Sequence, residues 1–247
     1  MQDAKISVII PLHNQGKFLE ETLESIFTQI LRLEVSPRKF EEIAPVHEVI
    51  VTDDLSTDDS YAIAQELQKK YPSIIVQQNE VNLRVAKTRN KMFKQTTGTH
   101  IICLDADDIL EQNYFFETLQ TMKEKDADIV YTDMHLFGMV DMKKVYPQYS
   151  LLAIRSGNIC HVSSLMKRTV YEQTGGFAED FRKGNEDYAM WLTAAKLGFK
   201  FAKCSKTGLN YRRHLESNIV SGDFHKNRKI MYEDLKKRFG DFYLGRP

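Results

Sequence analysis

Asp105 and Asp107 stand two residues apart where a short apolar run, Ile101-Ile102-Cys103-Leu104, gives out. At extended-strand spacing their carboxylates project to the same side, about 6.5 to 7 Å apart along the chain. Such a pair suits a hard divalent cation, Mg²⁺ or Mn²⁺, which takes one or two carboxylates and fills its shell with phosphate oxygens. The same acids could equally form a solvated turn that caps a helix starting near Gln112. Asp53 and Asp54, ionised and therefore acceptor-only, can take hydrogen bonds from base N–H groups or ribose hydroxyls, with turn and N-cap chemistry as their alternative. Arg84, Lys87 and Arg89 open a helix, where a diphosphate would meet positive charge and free backbone N–H groups; a solvated basic face is the plainer reading. Gly184-Asn185-Glu186-Asp187 precedes an apolar helix. Asn185 could cap it, with two favourable first-turn acids, or Asp187 could be a general base held on a rigid helix start. Residue chemistry alone leaves these two balanced.

The elements that must position these groups alternate. Ile6 to Leu12 reads as a buried β-branched strand, and Leu19, Leu23, Ile26, Phe27 and Ile30 place one apolar face on a helix from about Lys17 to Leu31. A second strand covers His47 to Thr52, and Ser56 or Thr57 caps a helix with Asp58 and Asp59 in its first turn and Ile63, Leu67 and Tyr71 as its buried stripe. Ser73 to Gln78 is a third strand, Val85 to Thr97 a third helix and Thr99 to Leu104 a fourth strand. That alternation predicts an α/β fold with a mostly parallel central sheet and helices on both faces. Ligands of such sheets bind beyond the carboxyl ends of the strands, where Pro11-Leu12-His13-Asn14, Asp53-Asp54 and Asp105-Ala106-Asp107-Asp108 all fall. The second half is less regular: a helix near Gln112 to Lys125, a strand at Ile129 to Tyr131, a strand-like patch from Ile159 to Lys167 and a helix from Tyr188 to Leu197.

Composition narrows the function classes. The 247 residues can bury a large core, and 42% hydrophobic with 28% charged residues excludes collagen-like and largely disordered chains. Lys plus Arg equals Asp plus Glu at 34 each, so no global basic field exists to hold nucleic acid or an anionic bilayer. Cys103, Cys160 and Cys204 are too scattered for a zinc knuckle or redox pair, and reduced thiols in a cytosol are the expectation. No run reaches the ~18 apolar residues of a membrane span, so neither secretion nor insertion is expected.

The assembled text resembles a family 2 inverting glycosyltransferase of the GT-A fold. The matching pieces are Ser7 to Asn14, Val49 to Ser60, Thr88-Arg89-Asn90, Ile101 to Asp108, Gly175-Gly176-Phe177 and Glu186-Asp187, in the family's order over roughly residues 5 to 215. The resemblance implies that Pro11, His13 and Asp54 contact the uracil of a UDP-sugar with Asp53 beside them. It implies also that Asp105 and Asp108 touch the ribose or the metal shell, that Asp107 is the main ligand of Mn²⁺ or Mg²⁺, and that Arg89 lies near the nucleotide. Asp187 becomes the base, Glu186 helps orient the acceptor, and His214 in Tyr211-Arg212-Arg213-His214 reaches the metal or diphosphate, a surface histidine being the alternative. Two residues depart from the pattern. Leu55 replaces the glycine of Asp-Asp-Gly-Ser, so that turn is expected to avoid positive φ, and Arg84 replaces the glycine of Asn-x-Gly, crowding the diphosphate or adding charge.

The implied reaction is metal-assisted transfer of a sugar, with inversion, from a nucleotide-sugar to a hydroxyl of a glycan or lipid-linked acceptor in bacterial surface polysaccharide synthesis. A sugar-1-phosphate nucleotidyltransferase would carry a Gly-rich loop after the first strand, where this chain has one glycine in Pro11-Leu12-His13-Asn14-Gln15-Gly16. A non-catalytic sugar-nucleotide-binding or scaffolding module is the other alternative. The expected organisation is a GT-A domain over residues 1–220, with a nucleotide half at 1–110 and an acceptor half at 111–220. A helical extension over 221–247 should pack on the domain or a second subunit, with peripheral attachment at the inner membrane face as its alternative.

Overall fold

In the computed structural model, which describes residues 4–36, 39–181, 183–214 and 223–244, the β-branched run at the amino end is β1 (Ile6–Leu12). It is buried because strands cover both its edges. β4 (Val46–Asp53) pairs with it in parallel on one side and β6 (His100–Cys103) on the other, and β5 (Ile74–Gln78) extends the sheet beyond β4. Helices α1 (Gly16–Phe27), α2 (Ser60–Lys70) and α3 (Val85–Phe93) make the connections, α1 packing on α2 and α3 lying on β1 and β4. Since the chain runs outward from β1 to β4 and β5 and then returns to β6, the strand order reverses beside β1. A crevice opens there beyond the carboxyl ends of the strands.

The second half continues the same sheet. β10 (Leu165–Lys167) is antiparallel to both β6 and β8 (Ile129–Gly138), while β11 (Phe201–Arg213) runs parallel to β8 and carries the short β7 (Ile109–Leu110) on its far edge. β9 (Met142–Lys144) pairs with β8 as a hairpin, and β2 (Leu31–Ser36) with β3 (Lys39–Ile43) forms a separate two-stranded ribbon. The expected nucleotide and acceptor halves therefore share one continuous sheet across residue 110. The buried core runs through it from Ile9, Val51 and Ile102 to Phe115, Tyr131, Trp191 and Leu209.

α4 (Tyr114–Glu124) covers β11, and α5 (Leu151–Ser156) and α6 (Arg168–Thr174) both pack on α7 (Glu186–Lys196). The tail forms α8 (Asp223–Phe239) and a single 3₁₀ turn at Gly240–Phe242. It packs back on the domain: Met231, Leu235 and Phe239 are buried, Arg238 pairs with Asp180, and Arg155 donates to the carbonyls of Asp241 and Phe242. No helix among the described residues is long and apolar enough to cross a membrane.

Several local expectations change. α1 ends at Phe27, and Ile30, expected on its buried face, is exposed just before β2. Ser56 and Thr57 do not cap α2; Ser56 donates to Asp53, Thr57 to the Asn14 side chain, and Asp58 accepts the Ser60 N–H at the helix start. The patch from Ile159 to Lys167 is a strand only at its last three residues.

Candidate active site

Asp53 and Asp54 end β4 and are buried. Asp53 accepts from the Ser56 N–H at 3.0 Å, the Ser56 hydroxyl at 2.5 Å and Gln78 Nε2 at 2.9 Å, so turn chemistry occupies both its oxygens. Asp54 accepts from Asn79 Nδ2 at 2.7 Å and from the Leu83 N–H at 2.8 Å, both on Oδ1. His13 Nδ1 lies 3.1 Å from the Asp54 carbonyl, and Pro11 sits opposite Thr52 in the β1–β4 register. These contacts fasten the loops after β1 and β4 to the segment that leads into α3.

The turn between them contradicts the expectation for Leu55. Its φ is +58°, so the leucine takes the left-handed conformation that glycine would take, and its side chain is exposed. Arg84, at the N-cap of α3, has φ +67° and ψ +158°, in a region that is essentially glycine-only. The two non-glycine residues thus hold backbone conformations that favour glycine, at a cost of about 1–3 kcal/mol each. Arg84 and Lys87 are exposed at the start of α3.

Arg89 is placed differently from the expected helix-start cation. Two residues beyond Lys87, it is 4% exposed; its Nη2 donates to Asp105 Oδ1 at 2.7 Å and its Nη1 to Glu186 Oε1 at 2.8 Å. These partners hold the guanidinium charged in spite of burial. The arginine thus ties the turn after β6 to the first residue of α7.

That turn is not extended, which corrects the strand-spacing argument for Asp105 and Asp107. The Asp108 N–H bonds back to the Asp105 carbonyl at 3.1 Å, and the three carboxylates diverge. Asp105 meets Arg89; Asp107 Oδ2 meets His214 Nε2 at 2.9 Å; Asp108 Oδ1 accepts the Arg212 N–H at 3.0 Å. The turn does not cap α4, whose N-cap is Asn113 in a left-handed conformation. Burial raises the pKa of both Asp107 and Asp108, aided by their acidic neighbours. Asp108 Oδ2 is buried with no hydrogen-bond partner. Crowded carboxylates with an orphaned oxygen are a donor set that a hard divalent cation fits. Among the described residues no group of three or more His, Cys, Asp or Glu is arranged to enclose such an ion, so phosphate oxygens would have to complete the shell of one held by Asp107 and His214.

Asp187 lies in the first turn of α7 and is mostly buried. Its carboxyl is pushed up to about 6, by burial first and then by Glu186; Arg89, the Tyr188 N–H at 2.7 Å and Asn158 Nδ2 at 3.2 Å act against the rise. Asn185 holds the N-cap position with φ +68° and makes no side-chain cap bond, so the capping explanation for this motif lacks its hydrogen bond.

A cleft of about 1520 Å³ receives Arg84, Lys87, Arg89, Asp105, Asp108, Glu186 and Asp187. Pro11, His13, Asp53, Asp54, Asp107 and His214 are not among the residues that line it: Asp54 bonds to the lining residue Leu83, and Asp107, next to Asp108 in the chain, turns its carboxylate to His214. The remaining wall comes from residues that local reasoning did not single out. Asn158 positions Asp187. His161 is buried, with Nε2 3.1 Å from Thr132 Oγ1. Because the Thr132 hydroxyl donates to the Asp133 carbonyl, it accepts from His161 Nε2–H, which leaves Nδ1 a bare acceptor with no partner. Burial holds this imidazole neutral, with its pKa down at about 3. Lys144, Tyr146, Tyr211 and Arg213 complete that side, and Tyr232 and Leu235 of α8 with Tyr243 close one end.

Comparison with known proteins adds to this geometry. A model described as glycosyl transferase family 2 matches residues 7–175. The "Putative teichuronic acid biosynthesis glycosyltransferase TuaG" of Bacillus subtilis is 27% identical over 241 residues, covering 94% of this chain and 88% of that protein. A chondroitin synthase of Escherichia coli is 26% identical over 243 residues, 94% of this chain but 33% of its own length. Among solved structures, Staphylococcus aureus TarS 1–349 in complex with UDP-GlcNAc superposes with a TM-score of 0.68 at 19% identity, covering 96% of this chain and 73% of that one. A mannosyltransferase from Pyrobaculum calidifontis in complex with GDP-Man and Mn²⁺ gives 0.70 at 16% identity, covering 98% and 65%. At these identities the superpositions establish the fold.

Proposed function

The chain belongs to glycosyl transferase family 2 and is a glycosyltransferase, and from that premise we propose that it moves a sugar, with inversion, from a UDP-sugar to a hydroxyl of a growing surface glycan. The observation that carries the reading is the Arg89 bridge. By bonding Asp105 and Glu186 at once, it joins the Asp105–Asp108 turn to the start of α7, so that Asp105, Asp108 and Asp187 line one cleft.

Asp54, His13, Pro11 and Asp53 would receive the nucleoside where the strand order reverses, with Asp105 and Asp108 toward the ribose. Arg84 and Lys87, with the first N–H groups of α3, would face the diphosphate. Asp107 and His214 would hold Mn²⁺ or Mg²⁺, which when bound supplies charge neutralisation for the departing diphosphate. Asp187 takes the proton of the acceptor hydroxyl on its carboxylate as that oxygen attacks the anomeric carbon. With a pKa of about 6 it is mostly ionised at neutral pH yet basic enough to pull. Asn158 and the Tyr188 N–H hold its two oxygens, so the base is oriented before the acceptor arrives.

Relatives named for teichuronic acid and chondroitin synthesis, and a structural neighbour solved with UDP-GlcNAc, support a UDP-sugar donor and a polysaccharide product. The test is a panel of UDP-, GDP- and dTDP-sugars assayed for nucleoside diphosphate release with and without Mn²⁺, followed by assignment of the anomeric configuration of the product. UDP release that needs Mn²⁺ and yields the opposite anomer is expected. Release with retained configuration, or from GDP-sugars alone, would refute the assignment.

A further inference from the structure

Beyond Arg84 and Lys87 at the start of α3, the cleft is lined by further cations. On the donor side Arg89 is neutralised by Asp105 and Glu186. Five more cations from four separate elements line it: Lys144 at the end of β9, Lys183 before α7, Arg213 at the end of β11, and Arg228 and Lys229 on α8. None of the five lies within 4.0 Å of a carboxylate oxygen among the described residues. The acids lining the cleft are Asp105 and Glu186, both held by Arg89, Glu179, which accepts from Asn90 at 2.8 Å, and Asp108 and Asp187.

Strand alternation explains how Arg213 comes to face this wall. Arg212 points to the opposite side of β11, where it pairs with Glu21, donates to the Asp107 carbonyl at 3.0 Å and lies over the Phe18 ring, with His214 packed on the same ring. Successive side chains of a strand project to opposite faces. Tyr211 and Arg213 are thereby turned into the cleft, the guanidinium 6.0 Å from the Tyr211 ring. Arg213 Nη1 is buried and has no hydrogen-bond partner. A buried, unpaired guanidinium nitrogen costs free energy unless a ligand satisfies it. Lys144 shares its field: burial lowers its pKa, Asp187 opposes that and Arg213 adds to it, so Lys144 lies within electrostatic reach of both.

We propose that Lys144, Lys183, Arg213, Arg228 and Lys229 form an acceptor subsite for a polyanionic chain, a glycan or polyol polymer carrying phosphate or carboxylate groups, with one anionic group seated on Arg213 and Lys144 beside the attacking hydroxyl. This rests on the glycosyltransferase reading of the cleft. The cations neutralise an acceptor that Asp187 and the Asp105–Asp108 turn would otherwise repel, and the tyrosines between them give sugar rings flat surfaces to lie on.

The experiment measures binding, so that it stands apart from turnover. Fluorescent oligomers of similar length, one of polyol phosphate, one of uronic acid residues and one uncharged, are titrated against the full chain and against Arg213→Gln and Arg228→Gln/Lys229→Gln variants, with UDP titrated in parallel. Thermal melts of each variant confirm folding. The intact chain should bind at least one anionic oligomer about tenfold or more tightly than the uncharged one, with affinity falling as salt rises. Each variant should lose about tenfold of that preference while its affinity for UDP stays within about twofold. Equal binding of charged and uncharged oligomers overturns the proposal and leaves the donor chemistry intact. Loss of UDP affinity in Arg213→Gln with oligomer binding unchanged assigns the cation to the donor diphosphate and overturns it too. So does sedimentation with phosphatidylglycerol vesicles that the variants abolish, in the absence of any preference among oligomers. Failure of UDP itself to bind the intact chain would instead sink the underlying functional reading.

Discussion

Replacing Asp187 by Asn should make the protein more stable and nearly inactive, and the stability gain should depend on pH. The folded-state carboxyl titrates at about 6 against an ordinary 3.8, so the native state binds its proton more tightly than the unfolded chain does. Stability contributed by this group is therefore present in full below about pH 4 and is lost as pH rises through about 6. About two pKa units amount to roughly 3 kcal/mol of penalty on the ionised form, nearer 2 after allowing for partial exposure to solvent. Asn removes the charge and keeps the shape. Its oxygen still accepts the Tyr188 N–H, but its amide confronts Asn158 Nδ2, and Asn158 cannot turn over without giving up the Cys160 N–H that its own oxygen accepts. That conflict costs about 1 kcal/mol, leaving a net gain of about 1 kcal/mol at pH 7.5 and a net loss of similar size near pH 4. Urea unfolding of the two proteins at both pH values, at fixed ionic strength, reads the difference directly. Transfer should fall by about 10²–10⁴-fold with UDP affinity nearly unchanged. A stability difference that is the same at both pH values, or full transfer activity in the variant, would refute the reasoning.

Arg89→Met leaves Asp105 and Glu186 without their shared cation and should cost about 3–5 kcal/mol; it should also shift the acid limb of kcat/KM to higher pH, since Arg89 now restrains the pKa of Asp187. An unmoved acid limb in folded variant would count against Asp187 as the base. Arg84→Gly relieves a backbone of φ +67°, ψ +158° and, after glycine's own entropy cost, should raise stability by about 1 kcal/mol, seen as a melting temperature higher by roughly 2–4 °C, while weakening UDP binding. A lower melting temperature would mean that the arginine side chain holds more than its backbone costs. Gly176→Ala should destabilise by about 3 kcal/mol, because an added Cβ would lie 2.5 Å from both Asn90 Oδ1 and Tyr171 Cε2 at a φ of +82°. Denaturant unfolding checks it, and a change below about 0.5 kcal/mol would show that this loop can yield.

Periodicity and residue type were enough to read β1, β4, β5 and β6 and the helices between them, because strands buried on both faces are short apolar β-branched runs and the helices carry an apolar stripe at 3.6 residues. The β2–β3 ribbon escaped that reading, the expected helix running on to Leu31, where the ribbon's first strand begins. The polar ends of β1, β4 and β6 follow from that alternation alone, since strands that run parallel must deliver their carboxyl ends to one edge. β11, thirteen residues long, escaped because Lys203, Ser205, Lys206, Asn210 and Arg212 break its apolar pattern. Its buried lysine is explained by Asp133, 2.7 Å away on the neighbouring strand, and by the Tyr146 carbonyl, to which it donates at 2.7 Å, and its register shifts between Cys204 and Gly208. Leu55 shows the opposite case: its side chain argued against positive φ, and the surrounding loops impose it regardless, as they do at Arg84.

What local sequence could determine was which residues are acidic, which are basic and on which element each stands. What it could not determine was who meets whom. Arg89 finds Asp105 16 positions away and Glu186 97 positions away, and Asp107 finds His214 across 107. The pKa of Asp187 and the unpaired nitrogen of Arg213 likewise come from burial among distant neighbours. Ionisation and pairing depend on the charges and the dielectric within a few ångströms, and only the packed sheet brings those charges together.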